Sequence, residues 1–249
     1  MKSVGKTHIG QKRSSNQDAF FRVDTSYHSL PNLYIVADGM GGHLAGEIAS
    51  TKAIEFFINY IENNVLGEVD LLDFFLDATS YAHKGVLNTA KENKDCKGMG
   101  TTFTALTIKD NKGYIAHIGD SRIYLINDNI VQILTTDHSY IQEMLRHGSI
   151  TVEEAKTHPS KNALTRALGV EEDLLIDGYV FNFLSNDKIL ICTHGLTNMV
   201  TDDDIVKIVK SSNNIDAAIE TLINTANNNG GADNITIVLV EMAGDNHGA

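Results

Sequence analysis

Between residues 102 and 134 four strand-like runs follow one another, at 102–108, 113–118, 122–126 and 130–134, with only short polar links between them. Most are rich in Ile, Val, Thr and Tyr and are bounded by Gly, Asn or Asp, a composition that suits a pleated, half-buried surface. In 113–118, Tyr114, Ala116 and Ile118 share one face of a period-two alternation. The link 127–129 has the length of a hairpin loop, so pairing here is antiparallel. Further strand-like runs lie at 33–37, 188–193 and 234–240.

Helical stripes sit elsewhere. Ile54, Phe57, Ile58 and Ile61 form one, and Leu71, Phe75, Ala78, Ala82 and Val86 a second. Ile215, Ala218, Ile219, Leu222 and Ala226 make a third. Shorter helices are expected over 139–147 and from Thr151, where Thr151 and Glu154 fit a capping box. Two adjacent helices followed by consecutive strands is an α+β order, unlike the regular alternation of a parallel sheet. No Pro- or Ser-rich linker divides the 249 residues, so a single domain over 1–242 is expected, with a frayed tail at 243–249.

Composition narrows the function. Twenty Lys and Arg against 32 Asp and Glu give a net charge of −12, a surface that repels a phosphate backbone, so no nucleic-acid partner is expected. The start of the chain lacks the apolar run of a signal peptide, and apolar stretches such as 235–240 are too short to span a bilayer, so no membrane partner is expected. Cys96 and Cys192 are far apart and form no CxxC pair, which suits a reducing, cytoplasmic setting. Cys192, in an apolar strand, reads as a structural thiol rather than a nucleophile.

Acidic residues recur beside glycine at strand ends: Asp38-Gly39, Gly119-Asp120 and Gly231-Ala232-Asp233-Asn234. Singly, each is ordinary turn chemistry. Together, carboxylates at strand ends can point into one cleft, and glycine lets a backbone carbonyl oxygen approach an ion. Oxygen-only ligands suit Mg²⁺ or Mn²⁺.

Eight strings carry a stronger signal: RSSNQDAF from Arg13, VADGMGGHLAGEIAS from Val36, KGMGTT from Lys97, HIGDSRIYL from His117, TTDHS from Thr135, HPSKNALTRALG from His158, CTHGLTNMV from Cys192 and GGADNIT from Gly230. In that order they closely resemble the protein phosphatase 2C family, the metal-dependent Ser/Thr protein phosphatases, in its compact bacterial form. The resemblance implies a four-layer αββα sandwich, two packed antiparallel sheets each flanked by a helix pair. It implies two core ions, Mn²⁺ or Mg²⁺, and a third, weaker ion near Asp120. Asp38 would bridge the core ions, the Gly39 carbonyl and Asp18 would serve one of them, and Asp233 the other. Asn234 would orient Asp233. Arg13 would grip the substrate phosphate, for which a planar guanidinium is suited. The reaction implied is attack on phosphoserine or phosphothreonine by a hydroxide the two ions share, with no phosphoenzyme. The implied partners are phosphorylated proteins, including a cognate bacterial Ser/Thr kinase and its substrates, and the enzyme would be a monomer. Residues from about 144 to 168 correspond to the flap beside the active site, which governs access or is a stable surface excursion.

One position departs from the family. Where its pattern places a metal-ligand Asp, this chain has His194. Neutral imidazole offers a single lone pair and no negative charge, so it cannot bridge two ions as a carboxylate does. Weakened first-ion occupancy, an impaired third site and better tolerance of Mn²⁺ or Zn²⁺ than of Mg²⁺ are expected. The alternative is a form that binds phosphoproteins without turnover, and a third reading is a phosphoesterase for small molecules. Met40 stands where some members carry a His proposed as general acid, and His43 is a weak replacement. His8, His117 and His138 read as structural, and Thr101 and Thr102 as pins for a strand start near the ions.

Overall fold

The computed structural model describes residues 1–42, 44–127 and 131–242; His43, most of the link after Asn127 and the tail 243–249 lie outside the described residues. In chain order the elements are β1 (Lys2–His8), β2 (Asp18–Val23), β3 (Leu33–Met40), α1 (Ala45–Asn63), α2 (Leu71–Glu92), β4 (Gly100–Thr101), β5 (Phe103–Lys109), β6 (Lys112–Ile118), β7 (Arg122–Ile126) and β8 (Val131–Ile133). Then come α3 (Tyr140–Arg146), α4 (Val152–Thr157), β9 (Asp177–Asn182), β10 (Lys188–Cys192), α5 (His194–Thr197), α6 (Asp202–Ser211), α7 (Ile215–Asn228) and β11 (Ile235–Glu241).

The strands form two sheets, ordered β1-β11-β10-β7-β8 and β2-β3-β5-β6-β9, with β4 on β3. Every pairing is antiparallel. Alternation along each central strand divides the apolar residues among three layers. On β3, Leu33, Ile35 and Ala37 face α1 and α2, while Tyr34 and Val36 face the other sheet. On β11, Ile235, Ile237 and Leu239 face α7, while Val238 and Val240 meet the first set across the sandwich. These strands are buried on both faces, which is why they read as continuous apolar runs although the sheets are antiparallel. The fold is an α+β sandwich of four layers, helix pair, sheet, sheet, helix pair.

Local chemistry sets the elements. Asp70 caps α2 by accepting from Leu72 N at 2.8 Å. Thr151 and Glu154 complete the capping box of α4. The strand-like run from 102 breaks at Thr102, leaving two-residue β4 ahead of β5, and the run to Thr193 ends one residue earlier at Cys192. The excursion carrying α3 and α4 begins at Tyr140 and is stitched at its base by Tyr140 N–Ala163 O at 2.8 Å and by reciprocal bonds between Thr101 and Leu168 at 3.1 and 2.9 Å. Among the described residues no helix is long and apolar enough to cross a membrane.

Candidate metal centre

Five acidic or imidazole side chains reach one end of the sandwich from both sheets. Asp18 opens β2 and Asp38 lies near the end of β3, directly opposite each other in the antiparallel register. Asp120 sits in the turn that carries the chain from β6 in one sheet to β7 in the other. Asp233 precedes β11. His194, placed by the sequence at a strand end, instead opens the four-residue helix α5, where its carbonyl accepts from Asn198 N at 2.8 Å.

Hydrogen bonds fix these mounts. Thr102 Oγ1 accepts from Asp38 N at 2.9 Å and pairs with Ser121 Oγ at 2.9 Å, tying β3 to the turn of Asp120. Thr101 Oγ1 donates to Asp38 O at 3.0 Å. Gly119, at φ +106°, lies so close to Thr102 that a Cβ would come within 2.5 Å of it. His138 holds that glycine on both sides: its Nδ1 accepts from Gly119 N at 3.1 Å and its own N–H donates to Gly119 O at 2.8 Å. Nε2 of His138 therefore carries the proton and donates to Asp177 Oδ2 at 3.0 Å. The Asn234 amide spans to Ile9 O and Ser15 O at 2.9 and 3.0 Å and accepts from Gln17 N at 2.8 Å, fastening the loop that bears Arg13. Only its backbone N–H reaches Asp233 Oδ1, at 2.8 Å.

The cleft so formed has a volume of about 330 Å³. Arg13, Asp38, Gly39, Met40, Asp120, His194 and Asp233 line it, as do Asn162, Thr165 and Arg166 from the return of the excursion. Asp18 lies beneath this lining, with Oδ2 accepting from Thr193 Oγ1 at 2.8 Å and Oδ1 buried without a hydrogen-bond partner among the described residues. Gln17, Asn162, Thr165 and Arg166 all stood in the quoted strings but were not singled out, because nothing local marks them as cleft-lining. The Arg166 guanidinium is held by Asp177 at 2.6 Å.

The electrostatics are unfavourable as they stand. Burial pushes the Asp18 carboxyl up to about 7, against its hydroxyl partners Thr236 and Thr193, and Asp233 pushes the same way. Burial, then the charges of Asp18, Asp120 and Asp233, raise Asp38 well above the usual carboxylate range, with Arg13 opposing. Burial also raises Asp120, which His194 counters. Like charges directly opposite on paired strands are destabilising, and cations reverse that balance. Among the described residues no three His, Cys, Asp or Glu side chains close into a ready-made ion cage. The donor set still fits hard divalent ions that take one or two carboxylates each and keep several waters. The unpartnered Asp18 Oδ1 and both unpartnered ring nitrogens of His194 fit it as well.

An end-of-sandwich acidic cleft spanning two antiparallel sheets defines the class, and the relatives define the family. The family profile described as Protein phosphatase 2C matches residues 4–239. A protein named serine/threonine phosphatase stp, from Listeria monocytogenes, is 40% identical over 95% of this chain and 94% of its own length. The crystal structure of the serine/threonine phosphatase Stp1 from Staphylococcus aureus superposes with a TM-score of 0.90 at 30% identity, covering 98% of this chain and 95% of that one. A structure of the PstP catalytic domain in complex with two manganese ions gives 0.83 at 29% identity over 97% and 98%. The chain belongs to the protein phosphatase 2C family.

Proposed function

We propose that this chain hydrolyses phosphoserine and phosphothreonine esters of proteins, with divalent cations held by Asp38, Asp18, the Gly39 carbonyl, Asp120 and Asp233. The observation that carries this reading is the set of carboxylates brought together from both sheets, Asp18 and Asp38 directly opposite each other and raised chiefly by burial, a geometry that is costly unless cations share it. Bound divalent cations would supply Lewis acidity and acidify water near neutral pH. The protein's own part is positioning. Arg13, half exposed at the cleft and 2.9 Å from Asp233 Oδ2, is free to turn its planar fork toward a phosphate once cations satisfy that carboxylate. Gly39 is required where it stands, since a Cβ would fall 2.0 Å from Gly46 O and 2.5 Å from Gln17 O. Met40, which lines the cleft, offers no proton to the leaving alkoxide. Cys192, its thiol pushed up to about 12 by burial, takes no part.

The family membership supports phosphoproteins as substrates, among them a cognate kinase and its targets, and the placing of Asn162, Thr165 and Arg166, from the flap at about 144–168, along the cleft supports control of access by that segment. His194 in place of a carboxylate favours attenuated turnover. The test is release of phosphate from a phosphothreonine peptide in Mn²⁺, with and without chelator. Turnover that chelation abolishes is expected. Turnover indifferent to chelation overturns the metal-dependent reading, and tight peptide binding with no turnover in any divalent ion favours the binding-only form.

A further inference from the structure

We propose that Asp120 and His194 form a mixed carboxylate–imidazole site that selects a nitrogen-seeking first-row transition ion, such as Zn²⁺ or Co²⁺, over Mg²⁺. This deepens the reading of the cleft as a divalent-cation centre and rests on it. Loss of a carboxylate at position 194 argues, on charge alone, for a site that is simply weakened. The geometry points to a change of ligand type instead.

Nδ1 of His194 lies 3.3 Å from Asp120 Oδ2. The contact is not a hydrogen bond: both ring nitrogens are shielded from solvent and neither has a hydrogen-bond partner among the described residues. A partly buried imidazole whose two ring nitrogens are shielded from solvent and make no hydrogen bond is costly unless something else engages them. Two ligand atoms each about 2.1 Å from one ion, at right angles, lie about 3 Å apart, so the observed separation is close to one edge of a shared coordination shell.

Both donors stand on stiff mounts. Asp120 follows Gly119, which His138 grips at 3.1 and 2.8 Å, and precedes Ser121, which Thr102 holds at 2.9 Å. His194 follows Thr193, whose hydroxyl donates to Asp18 Oδ2 at 2.8 Å and accepts from Thr236 N at 2.9 Å. It precedes Gly195, where a Cβ would fall 1.8 Å from Asn234 O, so α5 sits directly on the segment that carries Asp233. Ligands fixed in this way retain their geometry without an ion and favour whichever ion matches their chemistry. One carboxylate oxygen and one imidazole nitrogen match the borderline transition ions. Mg²⁺ depends on oxygen ligands and negative charge, both of which the histidine removes. Mn²⁺ falls between them. Among the described residues His194 is the single imidazole lining the cleft.

The test uses the full chain and His194→Asp. Mn²⁺ serves as the spectroscopic probe: pulsed electron paramagnetic resonance on the loaded chain should show ¹⁴N coupling from a bound imidazole, and His194→Asp should lose it. Calorimetric titrations with Zn²⁺ and with Mg²⁺ should give an affinity ratio about ten-fold or more in favour of Zn²⁺ relative to the same ratio in His194→Asp. Mn²⁺ binding without nitrogen coupling in the unaltered chain overturns the inference whether or not the variant folds, and leaves the proposed function standing. Equal Zn²⁺ to Mg²⁺ ratios in the two chains overturn it too. A chain that binds none of these ions overturns both.

Discussion

Asp18 and Asp38 face each other across one rung of the β2–β3 ladder, and the consequence is opposite for stability and for catalysis. In the metal-free chain, Asp38→Asn removes a carboxylate that burial and three neighbouring aspartates hold well above the usual range, so its melting temperature should equal or exceed that of the parent. In the metal-loaded chain the same change should cut phosphopeptide turnover about a thousand-fold, of order 4 kcal/mol in the barrier. Thermal melts in chelator, paired with turnover in Mn²⁺, check both halves; a variant that melts far lower in chelator would show that Asp38 is structural. Arg13→Lys keeps the charge but loses the planar fork, and should lower kcat/KM about ten-fold, chiefly through KM. A loss confined to kcat at unchanged KM would contradict the phosphate-gripping role. Asp38, Asp120 and Asp233 could be picked out of the sequence because a glycine lies within two residues of each near the end of a strand, where local chemistry marks it, whereas Asp18 has no glycine beside it and stood out only through the family resemblance. Arg166 and Gln17 carry no such mark, since their place at the cleft follows from how the excursion and the loop 9–17 fold back, which no nearby residue encodes. Asn234 was legible as a neighbour of Asp233, yet its amide fastens the Arg13 loop instead, a role visible only once distant carbonyls are in place.

At the scale of elements, the β5–β6 pair hides a titrating group in its middle. His117 on β6 is fully buried, bonded to Thr104 Oγ1 at 2.9 Å and Thr136 O at 3.1 Å. Burial, then the neighbouring His138, holds its pKa down to about 4, against about 6.5 in an unfolded chain. The folded state thus prefers the neutral ring. Its stabilising contribution is complete above about pH 6.5 and is lost as pH falls toward 4, a difference of order 3 kcal/mol. His138, lowered chiefly by burial, adds in the same direction. The cleft carboxylates, raised in the fold, act in the opposite direction but equally in both chains, so the His117 contribution is read as a difference. The urea midpoint of the parent relative to His117→Gln should fall as pH drops from about 6.5 to 4, and a difference independent of pH would contradict this. Which elements were readable follows from how much apolar surface each must bury. The stripes on α1, α2 and α7 and the doubly buried β3, β5, β10 and β11 were plain, because each places several large apolar residues in a core. The edge strands β1 and β9 were not, since β1 buries only Ser3 and β9 alternates half-buried and exposed positions with no fully buried residue. The ten-residue α6 buries only Ile205 and Val209, too sparse a stripe to mark it in the sequence, and its start is set by Thr201, which accepts from Asp204 N at 3.2 Å.

For the whole molecule, the two sheets meet through a layer containing Val36, Leu106, Ile115, Ile123, Ile191 and Val238, and they also meet at the cleft. The two contacts differ in sign. The apolar layer stabilises the sandwich under all conditions, so that Ile191→Ala should cost about 2–5 kcal/mol with or without metal. The cleft brings carboxylates from both sheets together, Asp18 and Asp38 from one, Asp233 at the start of β11 from the other, and Asp120 on the turn between them. Without cations that end of the sandwich is held in spite of its charges. With cations it becomes a second clamp. Ions that bind the folded chain and not the unfolded one add about 2.7 kcal/mol at a hundred times the dissociation constant. For a chain of this length that corresponds to roughly 5–10 °C in melting temperature. Calorimetric scans across a Mn²⁺ series should show the midpoint rising by this amount, with the rise reversed by chelator and much smaller in Asp38→Asn, whereas the deficit of Ile191→Ala should be the same at every Mn²⁺ concentration. A midpoint insensitive to Mn²⁺, or an Ile191→Ala deficit that Mn²⁺ repairs, would show that the ions do not join the sheets.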